Sequence, residues 1–155
     1  MKPRYKVKVV TVAIACEGPK DTIIASDDAA RVARAFILTL GADQEHFVVL
    51  MLDARGALNA VTHVATGTIS STLVHPRDVF RAAILQGASA IIVAHNHPSG
   101  DPSPSEEDEH LTARLVECGD VFGIPVLDHL VIAASTFRSI PCAPPPMRRV
   151  GGFAS

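Results

Sequence analysis

The sequence lacks paired cysteines, a long apolar run, an internal repeat and a basic surplus over most of its length. Its three cysteines, Cys16, Cys118 and Cys142, stand far apart, and no CxxC pair occurs. An odd, scattered set excludes a disulfide framework and a thiolate zinc knuckle. It points to a reducing compartment, so the expected localisation is cytoplasmic. The longest uninterrupted apolar run is Phe47–Leu52, against the ~20 residues a spanning helix needs, so no membrane partner is expected. No segment recurs at a fixed period, which removes solenoids and propellers. At 155 residues the chain is also far short of the about 250 typical of a (β/α)8 barrel. What is present is 48% apolar residues, enough for the core of a single globular domain.

The net charge of −2 is unevenly spread. Residues 1–20 carry Lys2, Arg4, Lys6, Lys8 and Lys20 against Glu17, whereas the remainder carries nine arginines against fifteen acids. A dedicated nucleic-acid binder shows a basic face. Here nucleic-acid binding would rest on the N-terminal strip alone, and that strip reads better as a solvated, charged strand. The same strip loosely imitates a lipoprotein leader, because the apolar stretch 9–15 precedes Cys16. That stretch is at the lower limit for a signal core, and Lys6-Val7-Lys8-Val9 alternates like a strand.

Residues 5–15 are expected as a strand and 16–25 as a loop. Ser26 reads as an N-cap, with Asp27 and Asp28 in the first turn of a helix that ends at Gly41. Phe47–Asp53 and Leu58–Thr66 form a hairpin around Ala54-Arg55-Gly56. His75-Pro76 opens a second helix, with Val79, Phe80, Ala83 and Ile84 as its apolar stripe and Gly87 as its stop. Ala88–Ala94 reads as a central strand. Pro98–Pro104 is a loop, and Ser105 caps a third helix expected to end at Gly119. Ile124–Ala133 and Thr136–Ile140 complete the strands. The fold class is α/β, one mixed sheet flanked by helices over residues 1–140, followed by a loose Pro/Gly-rich tail over 141–155.

The segment that carries chemistry is AHNHPSGDPSPSEED, residues 94–108. His95 and His97 are two apart at the end of an apolar strand, so both imidazoles project from one face. The loop turns the chain back, and Asp108 falls in the first turn of the next helix, within reach of the same point. Two imidazoles and a carboxylate are a zinc-type ligand set, and three protein ligands leave a fourth position for water. A ββα-metal nuclease is excluded despite the letters HNH: its three residues are spread along the motif, and Asn96 points away from the two histidines.

These residues resemble the JAMM pattern: a distant Glu, then His-x-His, seven residues, and Ser-x-x-Asp. His95-Asn96-His97 and Ser105-Glu106-Glu107-Asp108 fit it, and Glu45 takes the place of the distant Glu. VHPRDVF at 74–80, HNHPSGDPSPS at 95–105 and GIPVLDHLVI at 123–132 resemble the RadC family, a bacterial branch of the JAMM (MPN-like) zinc metalloproteases. The likeness spans roughly residues 5–140. The chain resembles either a short, stand-alone form without the family's helix-hairpin-helix region or a truncated piece of a longer member, and Ala133-Ala134 departs from the family's glycine-containing turn.

The resemblance implies a JAB/MPN (cytidine-deaminase-like) architecture and one Zn²⁺ per chain on His95, His97 and Asp108. It implies Glu45 as general base and Ser105 as oxyanion donor as well as helix cap. Spacing alone does not choose Glu45 over Asp43. Glu106, Glu107 and Glu109 are expected in solvent, His46 and His63 as structural, and Asp128 and His129 on opposite faces of a strand, one of them backing the site. The implied activity is cleavage of an amide bond in a protein or peptide. Two other readings are a repair or recombination factor acting on nucleic acid without proteolysis, and a non-catalytic scaffold. The second is disfavoured by the complete ligand set. A homo-oligomer is compatible with the sequence.

Overall fold

The computed structural model describes residues 21–69 and 73–142. The strand expected over 5–15 and the tail beyond Cys142 lie outside the described residues. The elements run α1 (Ser26–Leu40), β1 (His46–Leu52), β2 (Leu58–Thr66), α2 (Pro76–Gln86), β3 (Ala90–Asn96), α3 (Glu106–Phe122), β4 (Val126–Ile132) and β5 (Phe137–Ile140). The strands form one sheet in the order β2-β1-β3-β4-β5. β3 and β4 are parallel and the other pairs antiparallel, so the sheet is mixed, as expected. The parallel pair needs a crossover, which α3 supplies.

β1 and β3 are apolar along nearly their whole length because helices cover both faces of the sheet. One face, with Phe47, Val49, Met51, Ile91 and Val93, packs on Val79, Phe80 and Ala83 of α2 and on Leu111 and Leu115 of α3. The other face, with Val48, Leu50, Ile92, Ala94 and Leu130, packs on α1. The contact residues of α1 are mostly Ala29, Ala30 and Ala33, all buried. Side chains this small bring the helix backbone close to the sheet.

The helix ends show where local signals were overruled. Ser26 is the first residue of α1, not its cap, which is Ala25. The Ser26 hydroxyl donates instead to Asp128 Oδ2 at 2.6 Å, tying α1 to β4. Asp28 closes the start of the helix by accepting the N–H groups of Ile24 and Ala25, each at 3.1 Å. Its carboxyl pKa is lowered, chiefly by those two backbone donors. Ile84, expected in the buried stripe of α2, is 52% exposed. α3 continues three residues beyond Gly119 and ends at Gly123, whose φ of 67° is left-handed.

Gly119 has a packing role. A Cβ there would lie 2.7 Å from the backbone oxygen of Ile124. Gly119→Ala should gain helix propensity, about 1 kcal/mol, yet lose a net ~1–3 kcal/mol because a backbone must move. Chemical denaturation measures the balance; a variant as stable as the parent would show that the α3–β4 approach yields without cost.

Candidate metal centre

β3 ends in His95-Asn96, His97 follows directly, and the alternation divides these residues between the two faces. His95 and His97 turn toward α3, with their Nε2 atoms 3.1 Å apart. Asp108, in the first turn of α3, brings Oδ1 to 3.3 Å from His95 Nε2 and Oδ2 to 3.6 Å from His97 Nε2. The three groups have ligand atoms within 4.8 Å of one another. His95 and Asp108 are buried, while 16% of the His97 side chain is exposed, which opens the cluster on that side. Exposed Glu106, Glu107 and Glu109 take no part.

The donor set fits a divalent cation. His97 Nδ1 lies 2.8 Å from the Asp101 carbonyl oxygen. A carbonyl only accepts, so Nδ1 carries a proton and Nε2 is the ring nitrogen left to face the cluster. Tetrahedral ligands at about 2.0–2.1 Å from zinc stand roughly 3.3–3.4 Å from one another, which the observed separations bracket.

Asp108 also belongs to a capping box. Its Oδ2 accepts the Ser105 N–H at 2.8 Å, and its own N–H donates to Ser105 Oγ at 3.1 Å. Burial opposes ionisation of Asp108. The adjoining His95 ring and the Ser105 N–H outweigh it and hold the carboxyl pKa well below the usual range. The first turn of the helix also favours a carboxylate.

Glu45 precedes β1 and is not one of the three clustered groups. Its Oε2 accepts the Ile69 N–H at 2.7 Å, and its carbonyl accepts the Gly67 N–H. In the sheet register Phe47 stands opposite His95. Glu45 stands two residues before Phe47, just outside the strand. Its backbone is fixed by Asn96, which turns away from the two histidines as expected. Asn96 Oδ1 accepts from His46 N at 2.8 Å and Nδ2 donates to Gln44 O at 2.9 Å, clamping Glu45 from both sides.

Asp128 and His129 do face opposite ways. Asp128 accepts from Ser26 and Ser139 on the α1 side. His129 is fully buried behind His95, with Nε2 2.9 Å from His95 Nδ1. Burial, above all, lowers the His129 pKa well below its ordinary value, so the ring is neutral. His46 and His63 hydrogen-bond with Thr66 at the open end of the hairpin. The sequence reading missed Thr112, whose Oγ1 is 2.6 Å from His129 Nδ1. It lies one helical turn after Asp108 on the same buried face, a spacing that could have revealed it.

The molecule is a mixed α/β domain with a His-His-carboxylate cluster that could hold a metal ion at the end of its central strand. The chain belongs to the RadC-like JAB domain family, whose profile matches residues 23–143. It is similar to a UPF0758 protein of Staphylococcus epidermidis, 49% identical over 98 residues, covering 63% of this chain and 43% of that protein. A UPF0758 protein of Caldanaerobacter subterraneus subsp. tengcongensis is 52% identical over 89 residues, 57% of this chain and 38% of its own. The chain thus spans less than half the length of these curated relatives. Among the described residues no helix is long and apolar enough to cross a membrane.

Asn96→Ala should unpair the buried His46 N–H and cost about 1–3 kcal/mol, read by urea unfolding. Stability unchanged from the parent would mean that the clamp on Glu45 contributes nothing to the fold.

Proposed function

We propose that this domain is a zinc-dependent amide hydrolase, a peptidase or isopeptidase-like enzyme acting on a protein or peptide. The observation that carries the reading is the convergence of His95 Nε2, His97 Nε2 and the Asp108 carboxylate on one point. Membership of the JAB domain family supports it. His95, His97 and Asp108 would hold the Zn²⁺. When bound, zinc lowers the pKa of water from ~16 toward ~7 and polarises a carbonyl.

The rest of the chemistry falls to the chain's own groups. Glu45 takes the proton of the attacking water and later returns it to the leaving nitrogen. Its Oε2 is tethered to Ile69 N–H, which orients the carboxylate while its other oxygen receives the proton. Ser105 Oγ accepts from the Asp108 N–H, so its hydroxyl proton is available to the oxyanion that forms on the substrate. A mostly apolar hollow of about 210 Å³, bordered by His97, Ile37, Leu38 and Ile132, offers room for an aliphatic side chain of the substrate. The nucleic-acid alternative rests on residues 1–20, outside the described residues; binding to DNA that weakens steeply with salt would favour it.

Two outcomes are expected. Purified protein reconstituted with zinc should hold about one ion per chain by elemental analysis, a triple Cys→Ser variant should keep it, and Asp108→Ala should lose it. Zinc that leaves with the cysteines would place the ligands elsewhere. Glu45→Gln should retain zinc while turnover on a cleavable peptide, found by library screening, falls ~10²–10⁴-fold, about 3–5 kcal/mol of barrier. Full activity in that variant would remove Glu45 as the base, and loss of zinc would make it a ligand.

A further inference from the structure

Behind His95 runs a chain of hydrogen bonds that the proposed hydrolysis does not use. His95 Nδ1 is 2.9 Å from His129 Nε2, and His129 Nδ1 is 2.6 Å from Thr112 Oγ1. Thr112 Oγ1 is in turn 2.7 Å from the carbonyl oxygen of Asp108. Both rings are fully buried, and Thr112 is 2% exposed. Phe47 stacks on His95 with centroids 6.2 Å apart and meets His129 edge-on at 5.6 Å. The chain therefore runs through an apolar wall and links two of the three clustered residues, one on β3 and one on α3.

Its direction is fixed from the far end. A carbonyl oxygen has no proton, so the Thr112 hydroxyl gives its only hydrogen to Asp108. Thr112 Oγ1 must then accept from His129, which places a proton on His129 Nδ1. A neutral imidazole has one N–H, so His129 Nε2 is an acceptor. The proton between the two rings therefore belongs to His95 Nδ1, which leaves His95 Nε2 as the atom that would face a cation between Asp108 and His97.

His97 obtains the same arrangement from the Asp101 carbonyl in its own loop. His95 lies inside the sheet, where ladder bonds occupy the neighbouring carbonyls, and its partner has to come from another element. The parallel register sets Val131 opposite His95. His129, two residues earlier on the same face, is therefore within reach of the His95 ring.

We infer that His129, anchored by Thr112, is a positioning residue for the metal centre: it locks His95 in the tautomer that presents Nε2 to a cation and ties that ligand to the backbone of Asp108. The inference rests on the metal reading of the site and is independent of hydrolysis. Carboxylates and carbonyls commonly hold a ligand histidine. A neutral imidazole orients the ligand without adding a second negative charge beside Asp108.

The test compares zinc affinity, by competition with a chromophoric chelator, in the parent, Thr112→Val, His129→Gln and His129→Ala. Imidazole nitrogen shifts in the parent report the tautomers, and thermal melts without metal report folding. The parent is expected to show His95 and His129 both protonated at Nδ1. His129→Ala should weaken zinc binding by ~10–100-fold. Thr112→Val, which keeps the shape, should weaken it in the same direction, and His129→Gln, whose amide oxygen can accept from His95, should recover part of the loss. Should His129→Ala fail to fold, Thr112→Val and the tautomers of the parent decide. A parent that binds zinc while folded variants bind it equally well would overturn the inference, as would a His129 protonated at Nε2. A parent that takes up no zinc would instead remove the metal reading, and the tautomers would still test the direction of the chain.

Discussion

A strand covered on both faces has no solvent in which to leave a polar side chain, and an unpaired polar group there costs several kcal/mol. β3 ends in two polar residues under that constraint, His95 and Asn96, and His97 follows directly. Each has found a partner, and each partner comes from a different element. His95 meets His129 on β4, Asn96 meets the backbone before β1, and His97 meets Asp101 in the loop toward α3. Among the described residues no buried side-chain nitrogen or oxygen lacks a hydrogen-bond partner. Satisfying these three side chains fixes where β1, β4 and α3 begin or end around the cluster. The site is in this sense a consequence of how the sheet's central strand terminates.

The start of α3 obeys a second constraint with the same atoms. A helix needs acceptors for its first N–H groups, and Ser105 and Asp108 supply them reciprocally. Capping aims the carboxylate: Oδ2 receives the Ser105 N–H, and Oδ1 faces His95. One residue therefore serves helix nucleation and the cluster together.

Much of this was legible in the sequence because it depends on local period. Alternation placed His95 and His97 together and Asn96 apart, and Ser-x-x-Asp announced the box. Pro76 and Gly87 marked the ends of α2. The errors arose where a tertiary contact outweighed a local preference. Ser26 has the chemistry of a cap, but Asp128, more than a hundred residues away, takes its hydroxyl. Gly119 has the look of a helix stop, but the missing side chain makes room for the backbone at Ile124. The partner chain of His95 was only half visible. His129 could be placed on a face, whereas its pairing depends on the parallel register of β3 and β4, which single-strand periodicity does not carry. Glu45 came from family resemblance alone; in the structure Asn96 holds the backbone of both its neighbours.

The loop over 98–104 shows how the chain limits the entropic cost of bringing its ligands together. Seven residues separate His97 from Ser105, and closing such a loop opposes folding. Pro98, Pro102 and Pro104 remove backbone freedom from the unfolded chain, so less is lost when the loop closes. Gly100, at φ 84°, supplies the one left-handed turn. The Asp101 side chain accepts the Ser103 N–H, and its carbonyl holds the His97 ring. Each of these contacts is short in sequence and needs no cation. The loop's own residues thus supply much of the geometry that brings His97 and Asp108 together.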